Sequence, residues 1–160
     1  MSWLAKLLGS KATKPTSPLP KKPASKPRSQ TRAIIGLHVL GKGGYPRNIV
    51  GESYCQAALS DICGGHNREG HELEVVADLS PEPSNPYDKN AVMVSVSGNK
   101  VGYLSREDAP RYLQALRDAG FDGRGVKVAA KIVGGWRTNQ HDAGHFGVKL
   151  AMPWPVRFEA

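Results

Sequence analysis

Three prolines within six residues, Pro81, Pro83 and Pro86, fall in the stretch Ser80–Asn90, S-P-E-P-S-N-P-Y-D-K-N. Each removes a backbone donor and restrains the residue before it, so this stretch is neither a helix nor a central strand. It lies between two apolar, β-prone runs, His71–Leu79 and Ala91–Ser97. Asn85-Pro86 and Asp88 supply turn chemistry. The same turn gathers an amide, a phenol and a carboxylate in Asn85, Tyr87 and Asp88. A stiff loop that holds a stacking ring beside two hydrogen-bonding groups suits a nucleotide or a sugar. It equally suits a plain Pro-rich turn whose tyrosine packs on a neighbouring wall.

Around this loop the patterning predicts short strands and two small helices. Ala33–Leu40 reads as a first strand, turned by Gly41–Gly44. Arg47–Glu52 leads into a second extended stretch that ends with Ser53 and Tyr54. Gln56–Cys63 reads as a helix stopped by Gly64-Gly65. His71–Leu79 alternates charged and apolar residues, the signature of a strand with one wet face. Ala91–Ser97 and Lys100–Leu104 form a hairpin about Gly98-Asn99. Ser105 to Asp108 has the Ser-x-x-acid pattern of a helix N-cap, and Gly120 closes that helix. Val126–Val133 and His145–Met152 are the remaining strands, the latter taken as the last, with a Gly-rich polar loop between them. The expected fold is mainly β with two short helices, a small OB-like β-barrel.

Charge divides the chain in two. Of 22 Lys and Arg residues, eight lie in residues 1–32, which hold no Asp or Glu, and residues 33–160 carry 14 charges of each sign. The net charge of +8 is therefore that of a basic arm and not of a basic globule. Residues 10–31 are rich in Lys, Pro and Ser and too poor in apolar surface to fold, so a disordered linker is expected there. Its lysines and arginines suit salt-sensitive, sequence-blind contact with phosphates, and suit a solubilising linker equally. In residues 1–9, Trp3, Leu4, Leu7 and Leu8 fall on one face of a short amphipathic segment that is too short to be stable alone. The barrel is expected over residues 32–158. Two cysteines, Cys55 and Cys63, are too few for a disulfide framework, and no run approaches the ~20 apolar residues of a membrane helix. The chain reads as intracellular and monomeric.

Three blocks carry a family likeness. Val50–Tyr54 (V-G-E-S-Y), Glu82–Val92 (E-P-S-N-P-Y-D-K-N-A-V) and Val101–Ala109 (V-G-Y-L-S-R-E-D-A) together resemble the signature of the HIRAN domain, over about Ile34 to Trp154. That resemblance implies an OB-like barrel that captures the 3′ end of single-stranded DNA. It also implies, in a chain with no motor or nuclease behind it, a stand-alone protein of bacterial type. By the same resemblance Tyr54 and Tyr87 are the stacking pair, and Asp88 is the carboxylate that accepts the terminal 3′-hydroxyl and repels a 3′-phosphate. Asn85 contacts the terminal base edge, and Arg106 neutralises a phosphate beside a helix N-terminus. Where family members carry a basic residue before the first tyrosine, this chain has Ser53, preceded by Glu52. One phosphate clamp is thus missing, and the charge of the basic arm, residues 11–32, is the expected compensation, by diffuse attraction.

Other chemistries have thinner support. His141, Asp142 and His145 give H-D-x-x-H without an evident third ligand, and Cys63, His66 and His71 lack a fourth, so neither group has the make-up of a zinc site. No phosphate-binding P-loop or G-x-S-x-G element is present. Trp136 and Trp154 suit further stacking platforms but read better as packing lids, and Tyr103 reads as core, with a neighbouring groove role as the alternative the resemblance implies. The expected function is therefore a non-enzymatic, cofactor-free module for 3′-terminal single-stranded DNA, placed in the cytoplasm or on the nucleoid. It would recruit or regulate a repair, replication or mobile-element machine, with a helicase, nuclease or other repair protein as partner. The alternatives are a protein–protein adaptor with a degenerate DNA-end site, and a nuclease that uses Asp88 with the histidine loop.

Overall fold

The structure is a computed structural model and describes residues 34–160. The predicted arm, residues 1–9 and 10–31, lies outside the described residues. Ten strands and two helices follow one another as β1 (His38–Val39), β2 (Arg47–Asn48), α1 (Gln56–Cys63), β3 (His71–Pro81), β4 (Val92–Val96), β5 (Asn99–Tyr103), α2 (Asp108–Asp118), β6 (Val126–Gly134), β7 (Arg137–Asn139), β8 (Asp142–Ala143), β9 (Phe146–Leu150) and β10 (Phe158–Glu159). A single 3-10 turn, Glu52–Tyr54, precedes α1. The fold is mainly β with two helices, as the patterning predicts.

The two long strands form the spine. Strand β3 pairs with β6 along nine residues, from His71 opposite Gly134 to Leu79 opposite Val126. Strands β4 and β5 extend the sheet on one side of β3. On the other edge of β6, its start takes β1 in parallel and its end takes β9 antiparallel. Strand β2 adds to β9, and β10 adds to β1. The sheet curls until the chain just after β2 meets the end of β5 at one point, where Val50 and Tyr103 exchange backbone hydrogen bonds of 2.8 and 2.9 Å.

Alternation fixes which face is buried, because successive side chains of a strand point to opposite sides. In β6, Val126, Val128, Ala130 and Ile132 are buried, while Lys127 and Lys131 alternate with them and stay half-exposed. Val92, Val94, Val96 and Val101 from β4 and β5 fill the same interior, with Leu79, Phe146, Val148 and Leu150. Tyr112, Leu113 and Leu116 of α2 and Leu59 of α1 join that core. The cap of α2 is the one its sequence specifies, since Ser105 Oγ accepts the Asp108 amide at 3.0 Å.

Five expectations need correction. The first strand is not Ala33–Leu40 but the two residues His38–Val39, because Gly36 adopts φ +100° and breaks the extended run. Ser53 and Tyr54 do not end an extended stretch; Gly51, at φ +83°, turns the chain into the 3-10 turn instead. The β4–β5 hairpin turns at Ser97-Gly98, both at positive φ, so Asn99 already belongs to the return strand. The polar loop after β6 contains the small β7–β8 hairpin. Strand β9 is not the last, since β10 follows and closes on β1.

Candidate nucleic-acid interface

Tyr54 is placed by the turn that Gly51 starts. Its amide donates to the Gly51 carbonyl at 3.1 Å, and the next amide, of Cys55, donates to Glu52 at 2.9 Å. One side of this turn is anchored and the other is bare: Cys55 and Leu59 are buried, whereas Tyr54 is 93% exposed. Gln56 fastens the turn to the sheet. Its side-chain NH2 donates to the carbonyls of Glu52 and Phe146, both at 2.9 Å, and its carbonyl oxygen accepts the Phe146 amide at 2.8 Å. The amide thus pairs with β9 as a strand residue would, and the phenol ring projects from a braced base.

The proline loop is built from its own side chains. Glu82 N donates to Ala91 O at 2.8 Å and closes the base, and Asn85 N donates to Glu82 O at 3.0 Å. Asn85 then organises the tip, its Oδ1 accepting the amides of Tyr87 (2.9 Å) and Asp88 (3.2 Å) and its Nδ2 donating to Glu82 Oε2 (3.0 Å). Asp88 Oδ1 accepts the Asn90 amide at 2.8 Å. Tyr87 is 88% exposed at the end of this scaffold, and residues 83–89 line a cleft of about 480 Å³. Large aromatic rings normally gain most from burial, so two left bare on braced turns stand ready for an external partner.

The two rings are carried by elements that meet at the Val50–Tyr103 junction. Val50 leads through Gly51 into the Tyr54 turn. Tyr103, its partner, is half-buried, and its hydroxyl donates to Glu82 Oε2 at 3.2 Å, at the base of the Tyr87 loop. The sequence points Tyr103 to the core, with a groove role as the family alternative, and assigns Glu82 and Gln56 no role. The position of Glu82 at the head of the second block is a signal that was present in the sequence; nothing in the sequence marks Gln56. Arg106 is exposed in the turn that opens α2, next to the Ser105 cap.

The rival groups sit elsewhere. His141, Asp142 and His145 are exposed on and beside the β7–β8 hairpin, where Asp142 accepts from Thr138 Oγ1 at 2.7 Å. His71 and His66 pack on the Phe146 ring at 5.7 and 4.8 Å between centroids. Among the described residues, no group of three or more His, Cys, Asp and Glu side chains converges. Trp154 is half-buried with the Arg111 and Arg47 guanidinium groups 4.2 and 5.7 Å from its ring, and Trp136 lies against Gly144. Among the described residues no helix is long and apolar enough to cross a membrane.

Comparison with known proteins agrees with the motif order. The HIRAN domain family matches residues 48–134, more than half of the chain, a span that contains both exposed tyrosines, the proline loop and Arg106. The helicase-like transcription factor of Oryctolagus cuniculus is 63% identical over 35 residues, which are 21% of this chain and 3% of that protein. The solved HIRAN domain of human HLTF is similar at 22% identity, covering 72% of this chain and 78% of its own, with a TM-score of 0.33. By the family match, the chain belongs to the HIRAN domain family.

Proposed function

We propose that this HIRAN domain is a non-enzymatic DNA-binding module that captures the 3′ end of single-stranded DNA. The observation that carries the reading is the pair of bare rings, Tyr54 at 93% and Tyr87 at 88% exposure, each on a hydrogen-bonded turn. Such rings stack on unpaired bases with little regard to sequence, at about 1–3 kcal/mol per base. Asp88 stands beside Tyr87 with one carboxylate oxygen held by the Asn90 amide. Among the described residues its other oxygen has no hydrogen-bond partner, so it is available to accept from a terminal 3′-hydroxyl. A 3′-phosphate in that place meets a like charge, and discrimination follows from that repulsion. Asn85 acts by shaping the loop, and Arg106 faces solvent where a phosphate would be neutralised. The basic residues 11–32 add diffuse attraction that salt weakens. In this reading the module brings a strand end to a larger repair, replication or mobile-element machine.

Fluorescence anisotropy on a short single strand with a free 3′-hydroxyl, against the same strand with a 3′-phosphate, tests the reading. Wild type is expected to prefer the hydroxyl end, and Asp88→Ala to bind both ends alike. Equal binding of both ends by wild type, abolished by removing residues 1–31, would mean that the arm alone holds DNA. No binding at moderate salt would turn the assignment to a protein–protein adaptor.

A further inference from the structure

Glu82 and Tyr103 are half-buried at the base of the proline loop, and they connect it to the turn that carries Tyr54. Glu82 Oε2 is a shared acceptor: the Tyr103 hydroxyl donates to it at 3.2 Å and Asn85 Nδ2 at 3.0 Å. Asn85 in turn holds the Tyr87 and Asp88 amides on its Oδ1. The backbone of Tyr103 exchanges hydrogen bonds with Val50, four residues before Tyr54, where that turn ends. Tyr103 therefore grips one ring's support with its main chain and the other ring's support with its side chain. Both hydrogen bonds to Glu82 are part-buried, where hydrogen bonds to a charged acceptor are stronger and the loss of a partner costs more.

We propose that the Tyr103 hydroxyl, the Glu82 carboxylate and the Asn85 amide form a positioning relay that sets the Tyr87–Asp88 tip relative to Tyr54. This rests on the reading of the site as a strand-end pocket. A β-bulge in β5 explains why the device can exist there. The extra residue, Val101, is buried in the core, and the pairing shifts so that Tyr103 stands opposite Met93, half-buried, with Lys100 Nζ 5.3 Å from its ring. A phenylalanine at 103 would keep the packing and both backbone bonds and lose only the link to Glu82. The end discrimination attributed to Asp88 depends on where its carboxylate stands, so the relay sets specificity through that placement.

Two measurements on Tyr103→Phe and Glu82→Ala test this in the full chain. Amide hydrogen exchange followed by NMR reads the relay itself. Exchange at Tyr87 and Asp88 is expected to quicken by at least about fivefold in either variant, with the β3–β6 amides unchanged, since only the bracing of the tip is lost. The affinity ratio between 3′-hydroxyl and 3′-phosphate strands reads its purpose and is expected to fall toward one by a similar factor. Glu82→Gln, which keeps an acceptor at the same place, is expected to restore most of both. A merely structural role would lower the melting temperature and leave the affinity ratio where it is in wild type. Unchanged exchange in Tyr103→Phe overturns the relay even if wild type discriminates ends. A wild type indifferent to end chemistry overturns the relay's role in recognition, and quickened exchange then identifies the strand-end reading as the premise that failed.

Discussion

Tyr54 and Tyr87 contribute almost no packing to the free protein, so removing either ring separates binding from stability. Tyr54→Ala and Tyr87→Ala are each expected to weaken single-strand binding by about 1–3 kcal/mol while leaving the thermal midpoint in place; anisotropy and calorimetry on the same samples check both halves. Tyr112 is the opposite case. It is fully buried in α2, and its hydroxyl has no partner among the described residues. Burial pushes its phenol pKa well above the ordinary 10.0. The folded state holds the proton more tightly than the unfolded chain, so stability is flat below about pH 10 and falls as pH rises from there toward the raised folded value. Tyr112→Phe removes a buried group without a bond, and is expected to raise stability by about 1 kcal/mol at neutral pH. It should also flatten the alkaline fall in a urea series run between pH 8 and pH 11. The sequence marks Tyr112 as core by its helical spacing with Leu113 and Leu116, but spacing says nothing of whether a hydroxyl finds an acceptor.

At the scale of elements, what was legible is what local chemistry decides. Helix α1 runs from Gln56 to Cys63 as predicted because Gly64 takes a left-handed conformation and stops it, and α2 is set by Ser105 and Gly120. The proline loop was legible for the same reason, its shape being written in Asn85, Asp88 and three prolines. Strands β1, β2 and β10, of two residues each, were not, because their extent is fixed by partners far along the chain. The turn around Tyr54 is not legible in the sequence because a lone glycine, Gly51, carries the change of direction. The site is legible only as isolated blocks, and the link through Glu82 and Tyr103 appears only when β5 lies beside the loop. Gln56 gives the element-level prediction. Gln56→Ala leaves the Phe146 amide without its partner and frees the Tyr54 turn, at an expected cost of about 1–3 kcal/mol in chemical denaturation.

For the molecule as a whole, charge and closure act separately. All the net charge of +8 resides in residues 1–32. Deleting residues 1–31 is therefore expected to lower DNA affinity and to shrink the slope of log affinity against log salt, leaving the ratio between 3′-hydroxyl and 3′-phosphate ends unaltered. Closure depends on Gly102. A Cβ there would stand 2.5 Å from Val50 O and 2.8 Å from Ile49 Cδ1. Gly102→Ala is expected to cost about 1–3 kcal/mol or more, measurable by urea unfolding, because backbone sits in the way and the segment after β2 is forced away from β5.

The Val50–Tyr103 junction is a clasp of only two bonds on an otherwise continuous ring. On the proposed reading, a strand lying across both Tyr54 and Tyr87 would bridge the clasp and favour its fastened form, and occupancy is expected to hold the ring shut by mass action. The empty domain, by contrast, is expected to open first at this point. Loading is then written into the covalent fate of the chain: a protease that nicks beside Gly51 is expected to consume the vacant protein and spare the DNA-bound one. A module that carries strand ends to another machine would in this way be longest-lived while it is carrying one.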